Sequence, residues 1–255
     1  MADKIDLIVK EKGFLYLIEK LSDIAKISDN IRIKIDNNHI LAYGVVGETS
    51  ILGFKNYLIP TDWVFENPDF DYLIDYIVVG SKKFVNNLKF FDISKKVKFS
   101  FNLKNHLDND KIKIGRVLNI TDGSLRMSNV SGEPQKIRDI SKETIQTKFA
   151  ADLSWWNFKI NNELLTKIKK ISNNIGEEII SINVKDKKVT FSESTKWSLV
   201  VGEANTDDCE INFDNKYLDN INISGDDTTF YIFETVILFK DGDESNLLVA
   251  FEQSV

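Results

Sequence analysis

Glu163-Leu164-Leu165-Thr166-Lys167-Ile168-Lys169-Lys170-Ile171-Ser172-Asn173-Asn174-Ile175 has a counterpart earlier in the chain. Moved back by 144 positions it falls on residues 19–31 (EKLSDIAKISDNI), and 8 of the 13 positions are identical. The identities are Glu19, Leu21, Ile24, Lys26, Ile27, Ser28, Asn30 and Ile31. Self-similarity at one fixed offset points to internal duplication. A chain so rich in Ile, Lys and Asn produces chance identities, so the weight comes from position: both copies fall in a helical slot. In the later copy Leu164, Ile168, Ile171 and Ile175 recur at helical spacing, and Asn161 or Asn162 supplies a cap. In the earlier one the apolar stripe is Phe14, Leu17, Ile18, Leu21, Ile24 and Ala25, over residues 13–25.

Outward from these helices, each half repeats one order: helix, several strands, short helix, several strands. In the first half strands are expected at 31–35, 39–45, 49–58 and 70–79, with a hairpin turn at Asp36-Asn37-Asn38. A short helix follows from Ser81, read as its N-cap, to Phe90, burying Phe84, Val85 and Leu88. Strands return at 97–103, 111–120 and 124–130. In the second half strands are expected at 155–160, 178–184, 188–192 and 196–204. A helix capped by Asp214 runs to about Asp219, and strands at 228–239 and 247–251 follow. Between the halves, Ser131-Gly132-Glu133-Pro134-Gln135-Lys136 opens a polar stretch that reads as a linker. The expected fold class is α+β, with domains at 1–133 and 151–255 joined by a connector at 134–150.

Composition narrows the function. There is no run of 18 apolar residues to span a membrane and no signal-peptide core, and the single cysteine, Cys209, fits a reducing cytoplasm. Two histidines, His39 and His106, sit in turn-like surroundings, and no metal-binding, P-loop or nucleophile-elbow spacing occurs. Asp241, Asp243, Ser245 and Glu252 match positions 1, 3, 5 and 12 of a calcium loop, but Asn246 stands where the sharp turn requires glycine. An acidic hairpin tip is the better account. Neighbouring Asp208 and Glu210 disfavour a Cys209 thiolate. No catalytic role, metal or cofactor is expected.

The net charge is −6, so any nucleic-acid contact must be local. The charge is in fact segregated. Residues 202–255 hold 13 carboxylates and only two lysines, Lys216 and Lys240. The helix from Ser81 carries Lys82, Lys83 and Lys89 with no acid, and the helix near 162–174 carries Lys167, Lys169 and Lys170 against Glu163 alone. Helical geometry puts Lys83 and Lys170 opposite the apolar stripes, with the other lysines on the flanks. Lysine, a mobile point charge, suits phosphate contact that ignores base sequence. A merely solvated face is the competing account.

The pattern resembles the DNA sliding clamps, the family of proliferating cell nuclear antigen, and most closely the polymerase clamps of T-even-type bacteriophages. The resemblance rests on residues 164–168 leading into 179–189 (IISINVKDKKV), Trp197-Ser198-Leu199, Phe213-Asp214 with its helix, and residues 247–252 (LLVAFE). Phe70-Asp71 leading into the helix at Ser81 agrees in order. It implies a DNA clamp fold of two similar domains, each with antiparallel sheets and two helices, closed head-to-tail into a homotrimeric ring around double-stranded DNA. On that basis the lysines facing DNA are Lys82, Lys83, Lys89, Lys167, Lys169 and Lys170, with Lys12, Lys20 and Lys216 as weaker members. Glu19 and Asp23, read as outward, depart from a basic lining. The resemblance further implies loading by a clamp loader, tethering of DNA polymerase, and, in T-even-type relatives, a part in late transcription. It also implies a partner pocket near residues 131–147 with Phe251, Gln253, Ser254 and Val255. The alternative is a β-rich phage tail or baseplate protein, which should lack basic helical faces and a two-fold repeat.

Overall fold

Asp36 turns the chain between the first long hairpin's strands: its carboxylate accepts from the backbone N–H groups of Asn38 and His39, both at 2.7 Å. That hairpin belongs to a computed structural model describing residues 3–47, 53–66, 68–107, 109–134, 137–141, 143–144, 147, 150–176, 178–193, 196–221, 226–241 and 245–254. The chain divides into one unit of Met1–Val46 with Lys55–Asp139 and a second of Gly47–Phe54 with Ile140–Val255.

The first unit is built from β1 (Asp3–Val9), α1 (Glu11–Ile24), β2 (Asn30–Ile35), β3 (His39–Val46) and most of β4 (Gly53–Pro60). Then come α2 (Thr61–Val64), β5 (Phe65–Glu66), β6 (Leu73–Val79), α3 (Ser81–Leu88), β7 (Val97–Asn105), β8 (Ile112–Thr121) and β9 (Arg126–Val130). Two strand sets, β1-β7-β8-β9 and β4-β3-β2-β6, meet where β6 runs parallel to β8 at Leu73 and Ile112. The second unit contains β10 (Trp156–Asn161), α4 (Asn162–Ile175), β11 (Ile179–Lys185), β12 (Lys188–Glu193), β13 (Trp197–Glu203) and β14 (Cys209–Asp214). A 3₁₀ helix (Asn215–Asn220), β15 (Asp227–Ile232), β16 (Val236–Asp241), β17 (Ser245–Ala250) and β18 (Glu252–Ser254) complete it. Its strand orders are β10-β15-β16-β17 and β13-β12-β11-β14-β18. The permutation of the first unit recurs, with β18 added.

The duplication is therefore present, but its register differs from the sequence match. α1 begins at residue 11 and α4 at residue 162, an offset of 151 rather than 144. The difference of seven residues is two helical turns, which keeps the apolar phase intact. At the structural offset Phe14, Leu17, Leu21 and Ile24 correspond to Leu165, Ile168, Ser172 and Ile175.

Each core is mostly aliphatic but contains a cluster of aromatic rings. In the first unit Phe14 meets Phe91 and Phe99 edge-on at 6.5 and 6.0 Å. In the second, Phe230 stacks on Phe158 at 4.7 Å and meets Phe191 and Phe239 edge-on at 5.6 and 4.6 Å. Burying each such ring contributes about 1.5–3 kcal/mol.

Two local expectations are corrected, and a third is met in a tighter form. Ser81 is not the cap of α3: Gly80 holds that position at φ 68°, and the Ser81 hydroxyl donates to the Ser28 carbonyl at 2.6 Å. The expected strand at 228–239 is a hairpin, because the chain turns at Phe233, whose N–H bonds to the Val236 carbonyl. The segment after Asp214 is a 3₁₀ helix, capped as expected by the Asp214 carboxylate on the Lys216 N–H. Within the stretch expected as a connector, Ile137 and Arg138 are held by the first unit: the Arg32 guanidinium donates to the Ile137 carbonyl and the Tyr43 hydroxyl to that of Arg138.

Candidate nucleic-acid interface

α3 places its lysines by burying the opposite side. Phe84, Val85 and Leu88 are buried, while Lys82, Lys83, Asn86 and Lys89 are exposed. Two lysines in a helix's first turn oppose its dipole, a cost of about 0.3–1 kcal/mol each. No acidic residue in that turn offsets it, and Gly80 offers no side-chain cap. The whole segment 81–96 (SKKFVNNLKFFDISKK) holds five lysines and one aspartate. Positive charge is concentrated here against local helical preference.

α4 starts where the Asn161 side chain accepts from the Glu163 N–H at 2.8 Å, and ends at Gly176, whose φ of 74° suits glycine. Its buried positions are Asn162, Leu165, Ile168 and Ser172, not the expected Leu164/Ile168/Ile171/Ile175 stripe. The helix is turned to hide Ser172, which donates to the carboxylate of fully buried Glu193. Trp197 Nε1 and Asn215 Nδ2 donate to the same carboxylate at 2.9 and 3.3 Å. In this orientation Lys167, Lys170 and Asn174 are exposed. Lys169 is half-buried, with its ammonium on the Ile221 carbonyl at 2.7 Å. Asn173 donates to Asp219 at 3.0 Å, which sets one exposed carboxylate beside this face.

The remaining lysines differ. Lys12 is exposed. Lys20 is mostly covered, bonded to Glu19 and lying over the rings of Tyr16 and Tyr57 at 4.7 and 5.1 Å. Lys216 is exposed but ion-paired with Asp214. Asp23, expected to point outward, is buried. Lys55 meets it at 2.5 Å, Lys26 at 2.9 Å, and the Tyr57 hydroxyl donates to it. Burial pushes the Asp23 carboxyl up, but the charge and hydrogen bond of Lys55, with Tyr57 and Lys26, hold it below the usual carboxylate range.

Of the residues expected to take partners, Phe251 is half-buried, its N–H on the Thr235 carbonyl at 3.1 Å. Gln253 and Ser254 lie in β18, paired with Ile211 and Glu210 of β14, and Val255 lies outside the described residues, as does Asp243 of the calcium-like spacing. Burial and then Asp208 and Asp207 push the Cys209 thiol up, away from thiolate chemistry. Among the described residues no cluster of three or more His, Cys, Asp or Glu could hold a metal ion, and no helix is long and apolar enough to cross a membrane.

No protein-family model matches the chain, and no curated protein matches its sequence. Solved structures do match its fold. A. fulgidus PCNA, in a structure with the C-terminal region of FEN-1, aligns with TM-score 0.63 and 15% identity, over 98% of each chain. PCNA from Thermococcus kodakaraensis aligns with TM-score 0.62 and 14% identity, over 97% of this chain and 100% of its own. The DNA polymerase III subunit beta from Pseudomonas aeruginosa aligns with TM-score 0.67 and 10% identity, over 98% of this chain and 65% of its own. The chain has the α+β fold of the DNA clamps.

Proposed function

We propose that this chain is a sliding clamp, a non-catalytic DNA polymerase processivity factor that encircles duplex DNA. The observation that carries this is a lysine-bearing helix face in each unit of a clamp fold: Lys82, Lys83 and Lys89 on α3, Lys167 and Lys170 on α4. Contacts from mobile ammonium groups to phosphates are salt-sensitive and blind to sequence, so they permit sliding. Lys12 is a further member of the lining, whereas the partners of Lys20, Lys169 and Lys216 make them lesser ones.

A homotrimer is the assembly we favour. Among the described residues β9 pairs only with β8 and β13 only with β12, so each unit presents an open edge. Pairing one copy's edge to the next would close both edges around a ring. A clamp loader would open that ring. DNA polymerase would dock near the connector and β18, at Phe251, Gln253, Ser254 and Val255. A T-even-type phage origin places the work in the host cytoplasm and adds late transcription to the partners.

The test is charge reversal at Lys83 and Lys170, singly and together, on gapped circular DNA with a cognate polymerase and loader. Each lost phosphate contact should lower the salt dependence of retention by about 0.9 in log–log slope. Product length should shorten while the circular dichroism spectrum stays the same, since both side chains are exposed. Unchanged product length and retention in the double variant would remove the DNA-facing assignment.

A further inference from the structure

Two adjacent phenylalanines at the end of α3 have opposite fates. Phe91 is 5% exposed and packs on Phe14, while Phe90 is 76% exposed. Its position is set by the backbone. Lys89 keeps helical angles, φ −68° and ψ −12°, and the N–H groups of Lys89, Phe90 and Phe91 bond to the carbonyls of Asn86, Asn87 and Leu88 at 3.2–3.3 Å. The chain thus continues for one tightened turn past Leu88. Phe90, seven residues after Lys83, comes out on the side of Lys83 and Asn86 rather than that of Phe84 and Leu88.

The surroundings identify what this ring fits. Lys82, Lys83, Lys89, Lys95 and Lys96 are all exposed in the same segment. Its one acid, Asp92, accepts from the Ser94 hydroxyl and N–H at 2.7 and 3.1 Å and lies 3.6 Å from Lys95. An apolar protein partner would have to strip water from several ammonium groups to reach Phe90. A polyanion carrying flat aromatic units satisfies both features at once, with phosphates on the lysines and a ring on the ring. Bases inside a duplex have both faces occupied by their neighbours, so away from the end pairs only an unpaired base can present a face.

We infer that Phe90 stacks on an unpaired nucleobase, so that this lysine patch prefers DNA carrying a single-stranded segment to uniform duplex. This rests on the proposed DNA-facing role of α3 and extends it: the lysines hold the backbone, and Phe90 detects the end of pairing. With no hydrogen-bonding group, phenylalanine detects a base without reading which base it is.

Fluorescence anisotropy on two labelled probes, a blunt duplex and the same duplex with an oligo-dT tail, tests the inference with the full chain. The wild type should bind the tailed probe about fivefold more tightly, the low end of base–aromatic stacking. Phe90→Ala should abolish that preference and leave the blunt-duplex affinity in place, and Phe90→Trp should keep it. A 2-aminopurine at the first unpaired position should be quenched by the wild type and not by Phe90→Ala. A tail preference that survives Phe90→Ala, or one absent from the wild type, overturns the inference. Lys83→Glu separates the two proposals, because it should weaken both probes alike. If it leaves both unchanged while the preference still depends on Phe90, the duplex-lining role fails and stacking stands.

Discussion

Loss of Arg32 should cost the first unit heavily. It is 4% exposed, and its guanidinium meets the buried Asp75 carboxylate through Nε at 2.8 Å and Nη2 at 2.5 Å. Nη1 donates to the Ile137 carbonyl at 3.0 Å. Arg32→Met keeps much of the side chain's volume but strands a buried carboxylate and a carbonyl. Breaking a buried ion pair from one side costs about 3–5 kcal/mol, because the remaining charge has lost both water and partner. At roughly 2–4 °C per kcal/mol for a chain of this size, the melting transition should fall by about 6–20 °C. Removing both charges in Arg32→Met/Asp75→Leu should recover most of the loss, since a buried pair replaced by apolar groups is often neutral. Urea titrations and thermal melts followed by circular dichroism measure both variants, and tryptic cleavage after Arg138 reports release of residues 137–139. A single variant that loses less than about 1 kcal/mol, or a double variant as unstable as the single, would refute the assignment of Arg32 and Asp75 as a mutually dependent buried pair.

Gly13→Ala tests packing against propensity. Alanine in a helix is favoured over glycine by about 1 kcal/mol. Here, however, the new methyl would lie 2.6 Å from the Trp63 carbonyl oxygen and from Val64 Cα, backbone atoms that cannot rotate aside. Overpacking of about 1–3 kcal/mol should prevail, giving a net loss in urea denaturation, and a stabilised variant would contradict this. Acid should weaken the fold through Asp23 and Asp139. For Asp139 burial raises the carboxyl, but the Lys34 hydrogen bond and charge, then the Arg32 charge, outweigh it and hold it below the ordinary range. Folded values below the unfolded ones mean that this stabilisation is complete above about pH 4 and is lost as pH falls through the depressed values. The urea midpoint should therefore drop between pH 5 and pH 2.5, with a smaller drop in Asp139→Asn; a flat profile across that range would refute it.

Much of the architecture was legible because it is periodic. The helix–strand order of each half, the Asp36-Asn37-Asn38 turn and the Asp214 cap are local signals, and each appears in the structure. Register was less legible. The 144-residue offset aligned apolar positions two turns out of place, since a shift of seven residues preserves helical phase. The helix starts, Glu11 after β1 and Asn162 after β10, set the offset at 151. Phe90 falls at the end of a helix, where hydrophobic periodicity assigns it no face. The signal for it is its spacing: Phe90 lies seven residues after Lys83, on the side away from Phe84 and Leu88.

The two misread helix faces share a cause: a polar side chain hidden by a partner far along the sequence. Ser172 is buried because Glu193, 21 residues on, needs its hydroxyl. Asp23 is buried because Lys55 and Tyr57 come to it from β4. Hydrophobic periodicity assigns every serine and aspartate to water, so it turned α4 by one position and set an acid on the open side of α1. A buried polar group is stable only when paired, and no helical pattern can announce a partner on another strand. Correcting the two faces changes their charge in opposite directions. Lys169 leaves the open face of α4, but Lys170 and Lys167 remain. On α1 the carboxylate of Asp23 is consumed internally, so its exposed charges reduce to Glu11, Lys12 and Glu19, the last paired with Lys20. The one helix whose acids argued against a phosphate-facing role carries one fewer of them.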